Sequence, residues 1–508
     1  MNRPKALISV WEKDGISELA DALAGAGYEI VSSSGTAAHL RSKGINVTEV
    51  SDVTGTQPIL GGRVKTLHPK IMGGILARSG HKDDERDLAE HDIPLIDVVV
   101  CTLYPFEETA RNKAPADELM EKIDIGGVSL IRAAAKNYAR VAVITDKADY
   151  HILKDALKRG GISDELRRDL AIKAFSVTAS YDATIHEGLR HALGYSGGES
   201  EDRVVIPLRR TQELRYGENP FQSAALYMPT LADPQFVQHS GKELSYNNIL
   251  DLDSLLRGEA LFHDRTACII VKHTTPCGVA AADDAMTAYE LALACDTASA
   301  FGGVIGFTAP VDLELAQLIS ERLYEILAAP EFEPDAIEFL KSAKRNLRLI
   351  TTTGQYVPRG QITGNKMGFL VQKDTPPPLP AQSEGRWVGN ERPELWDDLI
   401  FAWKVASFTK SNAIVLASSG ATVGIGGGFT NRVDAAEYAI NRAGDKAVGS
   451  VMASDAFFPF PDSVEMAALA GVTAIIQPGG SIRDDEVEQC ALKHGVDMFI
   501  GTARAFRH

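Results

Sequence analysis

Short apolar runs recur along this chain from one end to the other, and they constrain its fold more than any other feature. Ala6-Leu-Ile-Ser-Val10, Tyr28-Glu-Ile-Val31, Val98-Val-Val-Cys101 and Val141-Ala-Val-Ile144 read as strands in the first third. Cys268-Ile-Ile-Val271, Gly303-Val-Ile-Gly-Phe307, Ala413-Ile-Val-Leu416 and Thr473-Ala-Ile-Ile476 read as strands further on. Continuous runs of this length are expected of strands buried on both faces. Between them lie stretches with helical apolar spacing, such as Ile16 to Ala24 and a segment through His39 and Leu40. Alternation of the two patterns predicts an α/β protein, with a doubly wound domain first and a second α/β part after it.

A chain of 508 residues exceeds what one compact core holds, so two to four domains are expected. The periodic pattern stops at Gly194-Tyr-Ser-Gly-Gly-Glu-Ser-Glu-Asp202, which predicts a division into 1–198 and 203–508. Thr375-Pro-Pro-Pro-Leu-Pro380 is a stiff connection, and a further subdivision is expected near 372–386. The net charge of -16 argues against a nucleic-acid partner but leaves room for small anions held by local donors. The five cysteines are odd in number, widely spaced and without a CxxC pair. They predict free thiols in a reducing compartment and no metal site. No signal-peptide pattern and no apolar run of membrane-spanning length occurs, so a cytoplasmic protein without a membrane partner is expected.

Three polar clusters stand out in the first domain. Ser32, Ser33, Ser34, Gly35 and Thr36 fall between a strand and a helix, where hydroxyls and free N–H groups form a phosphate cradle or simply an N-cap. Gly61-Gly-Arg-Val-Lys-Thr-Leu-His-Pro-Lys70 gathers Arg63, Lys65 and Thr66 around two glycines, as an anion site or a solvated basic loop would. Asp124-Ile-Gly-Gly127, with Gly126 and Gly127 permitting close backbone approach, leads into an Ala-rich helix that ends at Lys136.

Together with Leu103-Tyr-Pro-Phe106, these clusters resemble the inosine monophosphate (IMP) cyclohydrolase domain, whose fold is similar to methylglyoxal synthase. The resemblance runs from about Ala6 to Tyr150. It implies that Lys13, the Ser32–Thr36 turn, Arg63, Lys65 and Thr66 bind a nucleotide, with Gly126 and Gly127 beside them. It also implies that Lys65, Tyr104, Asp124 and Lys136 shape a ring closure. This chain departs from that family at Trp11, where a small hydroxyl residue is usual, and at Thr102, where Asn is usual.

In the second part, Val271-Lys-His-Thr-Thr-Pro-Cys-Gly278 puts Lys272 and His273 at the end of a buried strand. An imidazole there can take a proton from a weak amine nucleophile, and an ammonium can stabilise the charge that develops. Around it the sequence offers Arg215 and Tyr216 in Leu214-Arg-Tyr-Gly-Glu-Asn-Pro220, and Asn248 in Leu244-Ser-Tyr-Asn-Asn248. Gly302 lies in a small-residue turn, and Phe457 and Asp462 lie in Asp455-Ala-Phe-Phe-Pro-Phe-Pro-Asp462. Taken alone, each of Phe457, Phe458 and Phe460 reads as core sooner than as an aromatic wall. Arg504 and Phe506 are near the end of the sequence.

As a set these segments resemble the transformylase domain that acts on aminoimidazole-carboxamide ribonucleotide (AICAR), whose fold is similar to cytidine deaminase. The order of the two domains matches the bifunctional family. The resemblance implies 10-formyltetrahydrofolate as co-substrate with no tightly bound cofactor, Lys272 and His273 as catalytic groups, and AICAR, formyl-AICAR and IMP as ligands. It implies that Arg215, Asn248, Gly302, Asn412, Arg432, Phe457, Arg504 and Phe506 hold the nucleotide, with Asp462 near the reacting groups. It also implies a homodimer with transformylase sites between subunits. Thr275 and Phe429 stand where that family has amide side chains.

Other readings compete. A zinc deaminase needs H-x-E and P-C-x-x-C, and Pro276-Cys277 is followed by Gly-Val-Ala, which leaves Cys277 as a packing residue. Gly424-Ile-Gly-Gly-Gly428 misplaces the third glycine of a dinucleotide fingerprint. The third alternative is a purine-nucleotide sensor without catalysis, or a transformylase with an impaired cyclohydrolase.

Overall fold

A computed structural model describes residues 3–195, 202–353, 360–375 and 377–508. The expected boundary at 194–202 falls largely outside the described residues, as does Pro376 of the proline-rich connection. The chain forms two compact units. One comprises Met1–Thr211 with Tyr227–Asp233, and the other Gln212–Leu226 with Pro234–His508.

The first unit is built on five parallel strands: Lys5–Ser9 (β1), Glu29–Ser32 (β2), Thr48–Glu49 (β3), Val98–Cys101 (β4) and Ala142–Ile144 (β5). Their order is β3-β2-β1-β4-β5, so the chain reverses its direction of travel between β1 and β4. The apolar runs form strands because helices cover both faces, and Leu7, Val99 and Val143 are fully or nearly fully enclosed. Parallel strands put all the loops that follow them on one edge, and a ligand crevice is expected there at the reversal.

Two further strands, Leu208–Leu214 (β6) and Ala224–Pro229 (β7), contain the division between the units. The second unit is organised by one twelve-stranded sheet. Its first half uses Phe236–Ser240 (β8), Thr266–Lys272 (β9), Thr275–Ala282 (β10), Gly303–Phe307 (β11), Tyr324–Ala329 (β12) and Arg348–Thr352 (β13). Gly360–Asn365 (β14) and Gly368–Lys373 (β15) make a separate hairpin. The other half uses Arg386–Val388 (β16), Ile414–Ser418 (β17), Ala421–Gly426 (β18), Val451–Ser454 (β19), Ala474–Pro478 (β20) and Asp497–Gly501 (β21).

The sheet order β16-β21-β20-β19-β17-β18-β10-β9-β11-β12-β13-β8 reveals an internal duplication. In each half a first strand is followed by a helix and a hairpin, then by three mutually parallel strands, the last of which pairs with the first strand. The two hairpins meet at the centre through Ala280 and Ala421. The connection near 372–386 therefore joins two halves of one sheet. No sequence repeat announces this, because the halves share topology rather than residues. The phenylalanines divide as well: Phe458 is core, whereas Phe457 and Phe460 are substantially exposed.

Candidate functional site

In the first unit the loops after β1, β2 and β4 enclose a cavity of about 640 Å³. Its lining includes Lys13, Ser33, Gly35, Thr36, Arg63, Lys65, Thr66, Tyr104, Asp124, Gly126 and Gly127. The helix Ser34–Ser42 starts at Ser33, yet the Ser33 side chain makes no capping bond to the first turn. Its hydroxyl lies 3.3 Å from that of Ser9 instead. The first-turn N–H groups are thus free of a side-chain cap, which favours an anion there. Lys13 reaches the same place, with Nζ 3.0 Å from Thr36 Oγ1, and burial lowers its pKa.

Asp124 faces this cradle. Its carboxylate accepts the Gly127 N–H at 2.6 Å and a backbone N–H of Tyr104. Burial pushes its pKa up, while those N–H groups and the charge of Lys65 pull it down. Gly127 is required by sterics, since a Cβ there would lie 2.4 Å from Asp124 Oδ2. Gly62, at φ 92°, lets Lys65 cross close above it, where a Cβ would meet Lys65 Cε at 2.7 Å. Burial and the Asp124 charge together raise the Tyr104 phenol. Arg63 pairs with Glu121 at the rim.

Three of the sequence candidates sit elsewhere. Ser32 is fully buried and donates its hydroxyl to the Ile8 carbonyl at 2.6 Å, so it is tied into the sheet. Ser34 contributes its backbone to the helix start and is not among the lining residues. Lys136 ends the Gly126–Lys136 helix, about 15 Å from its start at 1.5 Å per residue. It lines a different, largely apolar cavity with Met72, Leu76 and Phe175.

In the second unit Lys272 and His273 line a cavity of about 340 Å³ with Thr275, Cys277, Asp296, Phe429, Tyr438 and Arg442. The sequence put the pair at a strand end, and the structure makes that end a two-residue hairpin turn between β9 and β10. His273 and Thr274 adopt φ of 52° and 63°, a left-handed conformation that side chains rarely take. The turn is held by Asp251, which accepts the Thr274 N–H at 2.6 Å. Burial raises the Asp251 carboxyl, while the N–H groups of Thr274 and His273 and the charge of His273 oppose the shift. Lys272 Nζ donates to the Phe301 carbonyl at 2.6 Å, which brings the Gly302 turn beside it. Cys277 both packs and lines the cavity, and burial pushes its thiol up to about 12, so it stays protonated at neutral pH.

A hydrogen-bond chain links this turn to the other candidates. Ser254 donates to the Thr274 carbonyl at 2.9 Å and accepts from Arg507 at 3.0 Å. Ser411 donates its N–H to the Arg507 carbonyl at 2.8 Å and its hydroxyl to Asp455. Asp455 pairs with the buried Arg432, whose second nitrogen donates to Asn412 Oδ1 at 2.8 Å. Asn412 in turn donates to the carbonyl of the cavity residue Phe429 at 3.0 Å.

Ala505 donates to the Asp455 carbonyl at 2.9 Å, which docks the segment carrying Arg504 and Phe506. The Arg504 guanidinium lies 5.0 Å from the Phe506 ring. Asn248 uses its backbone N–H and Oδ1 in a capping box with Ser245. Arg215 lies over the Tyr216 ring at 5.3 Å, and Asp462 is exposed at the start of the helix Asp462–Leu469. None of Arg215, Tyr216, Asn248, Arg504 or Asp462 is among the lining residues of the Lys272–His273 cavity.

Sequence reasoning missed Asp251, Ser254, Asp296, Tyr438, Arg442 and Arg507. Tyr438 and Arg442 carried a usable signal, four residues apart on one helix face, where Arg442 Nε donates to the Tyr438 hydroxyl at 3.0 Å. The others are joined only by the fold.

Family models and relatives match both parts of the chain. A family model for the AICARFT/IMPCHase bienzyme matches residues 134–442, and an MGS-like domain model matches residues 15–129. The bifunctional purine biosynthesis protein PurH of Persephonella marina is 45% identical over 523 residues, covering 99% of this chain and 99% of its own. The protein of the same description from Aquifex aeolicus is 45% identical, covering 99% of this chain and 100% of its own. A solved structure of ForH is 35% identical over 37% of this chain and 99% of its own, with a TM-score of 0.33. This chain therefore belongs to the AICARFT/IMPCHase bienzyme family, as a bifunctional formyltransferase and IMP cyclohydrolase of purine biosynthesis.

Proposed function

We propose that the first unit carries the cyclohydrolase and the second the transformylase, with 10-formyltetrahydrofolate as formyl donor and no tightly bound cofactor. The convergence of Lys65, Tyr104 and Asp124 with an uncapped helix start in one cavity carries this reading most directly.

In the second unit the 5-amino nitrogen of AICAR attacks the formyl carbon. A nitrogen–carbon bond forms, the His273 imidazole takes the amine proton, and Lys272 faces the oxygen as charge develops. The bond to the folate nitrogen then breaks, and tetrahydrofolate leaves with a proton. Asn412, Arg432, Phe457, Arg504 and Phe506 lie on or beside the hydrogen-bonded chain that ends at this turn, and the nucleotide is assigned to them. Arg215, Tyr216, Asn248 and Gly302 complete that assignment, with Asp462 near the reacting groups.

In the first unit the phosphate of formyl-AICAR sits at the Ser33–Thr36 helix start with Lys13, Arg63 and Thr66 around it. Asp124 takes a proton from the carboxamide nitrogen as it attacks the formyl carbon. Lys65 and Tyr104 donate to the formyl oxygen, and loss of the formamido N–H proton, which returns to these donors, closes the C=N bond as water departs. Holding the two ends of one molecule together supplies much of the rate. Lys136 is left out of this single-chain site, because its helix carries it away from the cavity. A homodimer with transformylase sites between subunits is part of the same proposal, as is action in the cytoplasm.

The test mixes the protein with AICAR and 10-formyltetrahydrofolate and separates the products. IMP with stoichiometric tetrahydrofolate, above an enzyme-free control, is the expected result. Formyl-AICAR that stalls would mean an impaired first unit, and no folate turnover would leave a nucleotide-binding protein.

A further inference from the structure

Trp11 and Thr102, on the loops after β1 and β4, touch one another. The Trp11 N–H donates to Thr102 Oγ1 at 2.9 Å, and its carbonyl accepts from Lys13 Nζ at 3.1 Å. The indole ring lies 5.2 Å from the Tyr104 ring at 57°, and the Lys122 ammonium lies 5.5 Å from the indole centroid. Trp11 is nevertheless 46% exposed, and it lines the cavity. It contributes nothing to the buried core of this unit, yet its backbone and ring are held from four directions. Lys13 joins it to the anion cradle, because the same ammonium contacts Trp11 O and Thr36 Oγ1.

An aromatic ring that is fixed in place but left half open in a polar cavity is a stacking surface for a planar ligand. We propose that Trp11 determines base specificity in this cavity: its indole stacks on the heterocycle of the bound nucleotide, and Thr102 sets the ring's position. This rests on the nucleotide reading of the cavity given above. A small side chain at position 11 would offer no such surface, so the indole adds to the hold that the phosphate cradle alone would give.

Titration of the full chain with IMP and, separately, with ribose 5-phosphate tests this, reading the binding phase that Arg63→Ala weakens. Trp11→Ser is expected to weaken IMP binding about tenfold, the scale of one lost stacking contact, while ribose 5-phosphate binding is unchanged. Trp11→Phe should keep most of the IMP affinity, and Thr102→Ala should lose an intermediate amount. Quenching of tryptophan fluorescence by IMP should shrink in Trp11→Phe. Unchanged IMP affinity in Trp11→Ser, or an equal loss for both ligands, would overturn the inference while the cavity reading stands. If Arg63→Ala alters neither ligand, the cavity reading falls and this inference with it.

Discussion

The two halves of the second unit's sheet repeat one topology, and they treat the same turn differently. In the first half Asp251 holds the β9–β10 turn, and in the second Asp398 holds the β17–β18 turn by accepting the N–H groups of Ser419 at 2.9 Å and Gly420 at 2.7 Å. Both turns are left-handed, with φ of 52° and 63° at His273 and Thr274, and 53° and 72° at Ser419 and Gly420. The second half places glycine at one of these two positions and keeps Ser419 at the other. The first half keeps His273 and Thr274 there, against their conformational preference. The first half thus keeps two non-glycine residues in left-handed conformation beside the Lys272–His273 cavity, whereas the second half has only one.

Removing the two carboxylates breaks this comparison most sharply. Asp251→Ala should lower formyl transfer by roughly tenfold to a hundredfold, the value of a hydrogen bond to a charged group, and leave cyclisation unchanged. Asp251→Asn should retain most activity, because its carbonyl still accepts the Thr274 N–H. Asp398→Ala should cost about 1–2 kcal/mol of stability with little effect on either rate. Denaturant midpoints measured beside the two half-reactions would show it, and equal activity losses in both variants would contradict the distinction.

A second difference lies further along the helices Tyr246–Leu261 and Trp396–Phe408, which carry these two carboxylates. Glu259 stands eight residues after Asp251, and Ala406 eight residues after Asp398, both fully enclosed. Burial pushes the Glu259 carboxyl up to about 8, opposed only by the Thr352 hydroxyl at 2.9 Å, and Oε1 has no partner among the described residues. The folded chain therefore keeps a proton that the unfolded chain releases above roughly pH 4.3. The resulting stability is fully present below that pH, declines as pH rises, and is lost above about 8. Glu259→Gln, an isostere of the protonated acid, should remove this slope and stabilise the protein at alkaline pH by a few kcal/mol. Melting profiles of the two proteins between pH 5 and 9 would superimpose if the carboxyl were ionised in the fold.

The smallest change copies one half into the other. Thr274→Gly should relieve about 1 kcal/mol of backbone strain and leave His273 working at nearly the same rate. A fall in stability would mean that the turn is not strained.

Legibility from sequence followed how far apart the cooperating residues lie. Four strands of the first unit's parallel sheet are readable from their apolar runs, whereas β3, the pair Thr48–Glu49, carries no such signal. Part of the cavity is readable because the loops directly after β1, β2 and β4 supply much of the lining. The strand Thr275–Ala282 was missed because proline, glycine and small alanines obscure it. The Ser254, Arg507, Ser411, Asp455 and Arg432 chain was missed because only folding brings together residues up to 253 positions apart. Lys136 was read correctly as a helix end, but the direction of that helix takes it away from the cavity.

The claim that two independent sites carry the two steps is tested most directly in one variant, His273→Ala. Formyl transfer to AICAR and cyclisation of supplied formyl-AICAR are measured separately on the same preparation. Loss of the proposed general base should slow formyl transfer about a thousandfold, while cyclisation stays within about twofold of the unsubstituted protein. Parallel loss of both rates in a protein that still melts normally would contradict the account.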